Sequence, residues 1–193
     1  MTRIKFIFAA MVLAFAGASV CAPIAAAQGT TVVVIDQRVI MRDSLAGKAI
    51  QAKLKSIEDQ ITNELRPTAA SLETESTALQ TRTATMTEQA VLADAALKTR
   101  FESFYTKAGE FNQLRQRRTQ ELALTERKAW GDFFAALQPI LQQVVSEKSA
   151  GVMLDRNSIV YSAPAVDVTA LVISKLDAST PTIAVTRQTV PAQ

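Results

Sequence analysis

Residues 97–144 read LKTRFESFYTKAGEFNQLRQRRTQELALTERKAWGDFFAALQPILQQV, and their apolar side chains recur mostly at steps of three and four residues. Such a period places these side chains on one face of a long helix. Residues 50–86 carry the same pattern, and a weak break near residues 87–95 separates the two stretches. Asp94 favours the start of the second helix. The pattern predicts two long helices that fold back on each other as an antiparallel coiled-coil hairpin.

The predicted first helix carries signals at its start and along its length. Ser44 offers an N-cap, so the helix is predicted to begin at Leu45. Gly47 lies in its first turn, where glycine weakens a helix, and this indicates close packing of the backbone. Pro67 predicts a bend. Threonine makes up six of the fourteen residues 74–87, so the distal half of the helix is expected to be soft.

Short strand-like segments flank the hairpin. Residues 32–36 read VVVID and predict a first strand. Residues 152–155 predict a second strand, 156–158 a turn, and 159–161 the hairpin partner of that second strand. Three strands this short cannot bury a core within one chain, so their edges are expected to pair with other subunits. We expect this oligomer interface to be built from Val32, Val34, Val152, Leu154, Ile159 and Tyr161.

These elements predict an α+β fold that is mostly α. It consists of a long antiparallel helical hairpin, or arm, on a small β platform that trimerises. Asp167 is an expected N-cap for a terminal helix over residues 168–176. The predicted division is a signal peptide at 1–27, a platform at 28–44 plus 150–177, an arm at 45–149 and a disordered tail at 178–193.

The N-terminus predicts export. A basic start, an apolar run over residues 6–20 and a small-residue segment before Gln28 are typical of a secretory signal peptide that is cleaved near Ala27. The apolar run is short for a membrane span. Cys21 is the only cysteine, and its neighbours fit a lipoprotein signal poorly. The mature chain therefore cannot form a structural disulfide.

The composition argues against catalysis. The chain has no histidine, so it lacks the commonest general base and the commonest metal ligand. Asp36, Asp155 and Asp167 have no base, nucleophile or phosphate-binding loop near them, and we interpret them as strand-end and capping residues. We therefore expect no enzymatic activity, no metal, no cofactor and no nucleic-acid partner.

Charge is concentrated on the returning helix. Without the signal peptide, the chain carries 19 basic and 18 acidic residues. Residues 98–128 hold eight basic and four acidic residues, whereas residues 66–94 hold two basic and four acidic. One interpretation is a solvated helical face, and the other is a positive surface for a partner.

The order of the elements resembles the Skp/OmpH family of periplasmic chaperones. The segments that carry the resemblance are 32–36 (VVVID), 44–48 (SLAGK), 154–157 (LDRN), 160–161 (VY), Pro164 and 167–169 (DVT). The resemblance covers about residues 31–177. It implies a homotrimer in which three arms extend from a β body and enclose a cavity. It also implies that unfolded outer-membrane β-barrel proteins are held in this cavity without ATP.

Aromatic and basic side chains on the returning helix are the expected client-binding residues. They are Arg100, Phe101, Phe104, Lys107, Phe111, Arg115, Arg117 and Arg118. In one reading the phenylalanines only fill the hairpin seam. In the other they leave apolar surface open to a guest chain. The membrane surface or lipopolysaccharide is a further partner that we consider. The competing function is a structural or adaptor coiled coil of the cell envelope that binds one folded partner at its tip.

Overall fold

A computed structural model describes residues 30–190. The predicted signal peptide at 1–27 lies outside the described residues. The elements are β1 (Val32–Ile35), α1 (Gln37–Asp43), α2 (Leu45–Thr83), α3 (Glu88–Ala93), α4 (Ala95–Glu147), β2 (Val152–Asp155), two 3-10 turns (Arg156–Ser158 and Pro164–Val166) and α5 (Thr169–Ser179). The protein is mostly helical, at 76%, with a small two-stranded sheet. The predicted α+β, mostly α fold class with its long helical hairpin is confirmed.

The sheet pairs β1 with β2 in parallel, with Val32 opposite Val152 and Ile35 opposite Asp155. Parallel neighbours need a long crossover connection, and here the whole helical arm is that connection. An isolated parallel bridge joins Val34 to Asp167 on the other side of β1. Consequently β1 is the inner strand, and the outer edge of β2 has no strand partner within residues 30–190.

The predicted β-hairpin over residues 152–161 is wrong, because residues 159–161 form no strand. The Asp155 carboxylate accepts hydrogen bonds from the Asn157 backbone N–H and side-chain amide, each at 2.7 Å, and this folds the chain into a 3-10 turn. None of residues 156–158 has the positive φ that a tight hairpin turn needs. The chain therefore leaves β2 sideways and does not double back along it.

The base of the molecule has a core of its own, which was not foreseen when three short strands were expected to leave the chain without one. Helices α1 and α5 and the lower ends of α2 and α4 supply most of it, with β1 on one side. The buried cluster consists of Val33, Ile35, Ile40, Ala46, Ile50, Ala129, Phe133, Leu137, Ile140, Val144, Val168, Val172 and Leu176. The short strands therefore do not have to bury a core alone.

The connection from α1 to α2 is very tight. The Ser44 side chain accepts a hydrogen bond from the Gly47 N–H at 3.1 Å and caps α2, as predicted. A Cβ atom on Gly47 would lie only 1.9 Å from the backbone oxygen of Met41. The glycine is needed because the two helices approach through their backbones.

The arm is the antiparallel pair α2 and α4. At 1.5 Å per residue, the 39 residues of α2 span roughly 58 Å and the 53 residues of α4 roughly 80 Å. Pro67 lies inside α2. The tip is the short helix α3, which Thr87 caps, and Asp94 caps α4 as predicted by accepting from the Leu97 N–H at 3.0 Å. The first helix ends at Thr83, a few residues before the break predicted near residues 87–95.

The tail also differs from its prediction. Residues 181–190 form neither helix nor strand, but they are not free of contacts. Ile183 and Val185 pack against the core of the base, and Arg187 binds carboxylates of both arm helices. The sequence from 178 onwards lacks a helical period, and an extended segment docked on helices shows no period of 3.6 residues. Among the described residues, no helix is long and apolar enough to cross a membrane.

Candidate functional site: the middle of the arm

Burial along the arm is interrupted in its middle. Helix α2 buries Ile57 and Ile61 and then no side chain until Leu79. Helix α4 buries Leu97 at the tip and then none until Glu121. The two helices therefore bury side chains against each other at the base and at the tip. Between these regions, their facing side chains stay at least partly exposed. We call residues 62–78 of α2 and 98–120 of α4 the mid-arm seam.

Side-chain size explains why the mid-arm seam is open. On α2 it presents small polar residues such as Ser71 and Thr74, opposite phenylalanines on α4. Two clefts of about 450 and 400 Å³ remain between the helices. Phe104 lines the first cleft and Phe111 the second, while Leu72 lines both. The clefts combine apolar walls with hydroxyl and charged groups, a mixture that suits a polypeptide segment.

The predicted phenylalanines Phe101, Phe104 and Phe111 are half-buried. Phe104 and Phe111 each line one of the clefts, whereas Phe101 lines neither of the two. Tyr105, which the sequence analysis overlooked, is largely exposed beside them. Its ring centre lies 5.7 Å from that of Phe104 and 6.3 Å from that of Phe101. An apolar aromatic patch therefore reaches the surface.

The predicted basic residues divide into three groups. Lys107 lines both clefts and Arg117 lines the second, whereas the exposed Arg115 lines neither. Arg100 also borders the first cleft but is held by Glu75 of α2 through two hydrogen bonds of 3.0 Å. That hydrogen bonding lowers the pKa of the Glu75 carboxyl.

Arg118 belongs to a different cluster, at the basal end of the mid-arm seam. Its Nη1 donates to both oxygens of Glu121 at 3.1 and 2.9 Å. Its Nε lies 3.0 Å from a Glu64 oxygen but makes no hydrogen bond. Arg187 of the tail completes the cluster, because its guanidinium binds Glu64 at 2.6 and 3.2 Å and Glu121 at 2.9 and 3.2 Å.

Glu121 is 3% exposed and is the only buried charged side chain among residues 30–190. Burial raises the pKa of its carboxyl, but hydrogen bonds from Arg187 and Arg118 outweigh burial and bring the pKa below its ordinary value. The hydrogen bond from Arg187 likewise lowers the pKa of Glu64. One turn further along α4, the buried Thr125 hydroxyl donates to the Glu121 carbonyl at 2.6 Å and accepts from the Gln188 N–H at 2.8 Å.

The lowered pKa values of Glu64 and Glu121 predict that the tail dissociates from the arm at acidic pH. A carboxyl whose pKa is lowered by folding stabilises the folded contact above its unfolded pKa, near 4.5, and that contribution is lost as the pH falls through the folded value. The Gln188 amide resonance in NMR spectra should therefore hold its position from pH 7 to about 5 and move towards its random-coil position as the pH falls below the ordinary glutamate value of 4.5. Arg187→Met should give the random-coil position at neutral pH. A Gln188 resonance that does not change down to pH 3 would contradict the ion-pair account.

The predicted interface residues do not all face solvent in the single chain. Val34 is 2% exposed and packs within its own subunit. Leu154 and Ile159 are half-buried, whereas Val32 and Val152 are exposed at the sheet and Tyr161 is 82% exposed. Val160, which was not singled out, is fully exposed beside Tyr161. The available apolar surface thus follows the outer part of the sheet and the segment after it.

The cluster around Glu121 was not recognised in the sequence, although a signal was present. Glu121, Thr125 and Ala129 follow one another at steps of four and continue the buried stripe of α4 towards Phe133. A carboxylate on a buried stripe needs a partner, and the only charged side chain in residues 178–193 is Arg187. Within residues 30–190, no three histidine, cysteine, aspartate or glutamate side chains are grouped so that they could hold a metal ion.

The chain was compared with protein-family models, curated proteins and solved structures. The family model described as outer membrane protein (OmpH-like) matches residues 31–176. A crystal structure from Caulobacter crescentus CB15, described as that of a candidate outer membrane chaperone (OmpH-like), superposes with a TM-score of 0.72. It is 29% identical in sequence, and the match covers 85% of this chain and 94% of that one. A search of curated proteins found no match.

Proposed function

The chain belongs to the OmpH-like family of outer membrane proteins, and on that basis we propose that it is an ATP-independent holdase chaperone. In this proposal it binds unfolded outer-membrane β-barrel proteins in the periplasm and prevents their aggregation. The observation that carries the proposal is the mid-arm seam, where two long helices leave aromatic side chains half-covered along clefts. Monomeric proteins seldom leave contiguous apolar surface without a partner for it.

The geometry suits holding many different chains weakly. The two clefts lie between α2, which contributes Thr68 and Thr74 to their lining, and the phenylalanines of α4. Each contact with Phe104, Tyr105 or Phe111 is small, so affinity accumulates over a long guest and individual segments still leave quickly. Binding by packing alone needs no nucleotide, cofactor or chemical step.

Positively charged side chains lie beside the clefts of the mid-arm seam and would attract negatively charged segments of a client. Lys107 and Arg117 border the clefts, and Arg115 lies exposed nearby. We propose that these cations steer acidic segments of a client towards the mid-arm seam and that the aromatic side chains retain them. The same positive groups are the ones that would meet a membrane surface or lipopolysaccharide. Arg100 and Arg118 contribute less, because Glu75, Glu64 and Glu121 bind them.

The open edge of β2 supports the proposed assembly into a trimer. An unpaired strand edge invites pairing with another chain, and exposed Val152, Val160 and Tyr161 would be buried by it. In this proposal residues 28–44 and 150–177 form the assembly platform, and residues 45–149 form arms around a common cavity. Residues 1–27 direct export and are removed.

The alternative is an adaptor that binds one folded envelope protein through its tip. Leu92 of α3 is 74% exposed and is the observation in its favour. The tip is otherwise small and polar, with threonine and alanine around it, and offers little area for a stable interface.

Site-specific cross-linking in intact cells separates the two functions. A photo-reactive phenylalanine analogue in place of Tyr105 should capture several outer-membrane barrel precursors. The matched control replaces Phe134, which is 40% exposed on the same helix but outside the mid-arm seam, and it should capture few. Capture of a single folded protein by the same analogue at Leu92 of the tip, with none from position 105, would favour the adaptor. Equal capture from positions 105 and 134 would remove the mid-arm seam from the proposal.

A further inference from the structure

Residues 182–188 lie along the arm in an extended form with alternating exposure. Ile183, Val185 and Arg187 are partly buried towards the helices, whereas Thr182, Ala184 and Thr186 are exposed. A period of two is the pattern of a β-strand, yet no strand pairs with this segment within residues 30–190. The tail is therefore bound to the helices in the way that an extended peptide binds to a groove.

The apolar side chains of this segment pack against the core of the base, and its hydrogen bonds to the helices come from side chains of the arm. Its Gln188 N–H donates to Thr125, and its Arg187 guanidinium joins Glu64 of α2 to Glu121 of α4. Paired two-point contacts between a guanidinium and carboxylates are strong and geometrically selective. The groove thus binds one arginine and two small apolar side chains of the tail. The other residues of the tail contribute little to its specificity.

The site on the arm is built for a basic guest. Buried Glu121 has Arg118 as a partner on its own helix, but one Arg118 serves two carboxylates, and Arg187 supplies the missing positive charge. The tail that supplies it lies beyond residue 176, where the match to the family model ends. A buried carboxylate of the arm is therefore neutralised by a segment outside the family match.

We infer that Glu64, Glu121 and Thr125 form a peptide-binding site on the arm, and that residues 182–188 are its resident occupant, which competes with extended guest segments. The expected guest is an unfolded segment with small apolar residues at alternate positions followed by an arginine. Alternation of this kind is the pattern of membrane-spanning β-strands. The identification of guests with clients rests on the proposed function, whereas the peptide site does not.

Competition by a labelled peptide tests the site directly. The probe is a fluorescent peptide with the sequence of residues 180–190, TPTIAVTRQTV, added to the full-length mature protein. A tethered tail acts at an effective concentration in the millimolar range, so the wild-type protein should bind the peptide poorly. Arg187→Met keeps an unbranched, flexible side chain and removes its charge. We expect it to bind the peptide at least about tenfold more tightly, as measured by fluorescence anisotropy.

The controls separate a binding site from a structural strap. Thr186→Glu makes the same change in net charge on the exposed side of the tail and should behave as wild type. Adding Glu64→Gln to Arg187→Met should abolish peptide binding. If Arg187→Met lowers the melting temperature without gaining peptide affinity, the tail is only a strap and the inference is wrong. Binding that survives Glu64→Gln would place the peptide elsewhere and would also overturn it.

The same variants test whether clients use the site. Arg187→Met should raise the affinity for a urea-denatured barrel protein several-fold relative to wild type and to Thr186→Glu. Peptide binding without a change in client affinity would overturn the competition with clients and leave the peptide site standing. A protein that binds the peptide but no barrel client would contradict the proposed holdase function instead.

Discussion

Gly47→Ala should unfold the base of the molecule or leave it severely destabilised. The new Cβ would lie 1.9 Å from the Met41 oxygen and 2.8 Å from its carbonyl carbon, both backbone atoms that cannot rotate away. Helices α1 and α2 would have to separate, which disturbs the cluster around Ile40 and Ile50. We expect a loss of about 3 kcal/mol or more and a fall in melting temperature of roughly 10 °C, measured by circular dichroism.

Gly131→Ala is the matched control, because nothing lies within 4 Å of the corresponding Cβ position on α4. Alanine favours helix over glycine by about 1 kcal/mol, so this variant should be slightly more stable than wild type. Gly109→Ala should behave in the same way. Equal melting temperatures for Gly47→Ala and wild type would contradict the close approach of α1 to α2.

Tyr161→Asp should dissociate the proposed trimer into folded monomers. Tyr161 is 82% exposed in the single chain, so an aspartate there disturbs no contact within the subunit. Within an interface the same aspartate would be an unpaired buried charge, which strongly opposes assembly. Multi-angle light scattering should give about three times the chain mass for the mature wild type and about one chain mass for this variant.

Tyr105→Asp provides the control for that experiment, because Tyr105 is the other tyrosine of the chain and is 67% exposed on the arm. It should leave the mass unchanged. Circular dichroism of both variants should show wild-type helix content. A wild-type protein that elutes as a monomer at micromolar concentration would remove the trimer from the proposal.

The arm could be predicted from the sequence because its information is local. The three- and four-residue steps of residues 97–144, the caps Ser44 and Asp94, and the conflict of Gly47 with helix propensity each act within a few residues. The structure confirms each of these features.

The partner of β2 could not be predicted, because strand pairing depends on distant residues. The sequence after Asp155 contains a second β-branched run, and hairpins are the commonest connection for neighbouring strands. The structure instead pairs β2 with β1, which lies more than a hundred residues away along the chain. Asp155 directs the chain away from a hairpin, because its carboxylate closes a 3-10 turn directly after β2.

The tail site was missed for a related reason. Ile183, Val185 and Arg187 alternate within a segment rich in threonine and proline, where composition alone predicts disorder. The partners that order the segment are Glu64 and Glu121, on two different helices. The mid-arm seam could be predicted only in part. Its phenylalanines are visible in the sequence, but the clefts beside them depend on how far apart the two helices lie.

The central claim is that the protein holds unfolded barrel proteins without nucleotide, and light scattering during dilution of a urea-denatured outer-membrane barrel protein tests it most directly. With the mature protein in excess, scattering should stay near the baseline, and ATP should make no difference. A variant with Phe104 and Tyr105 both replaced by serine should protect less at unchanged helix content. Aggregation at the same rate with and without the wild-type protein would contradict the account.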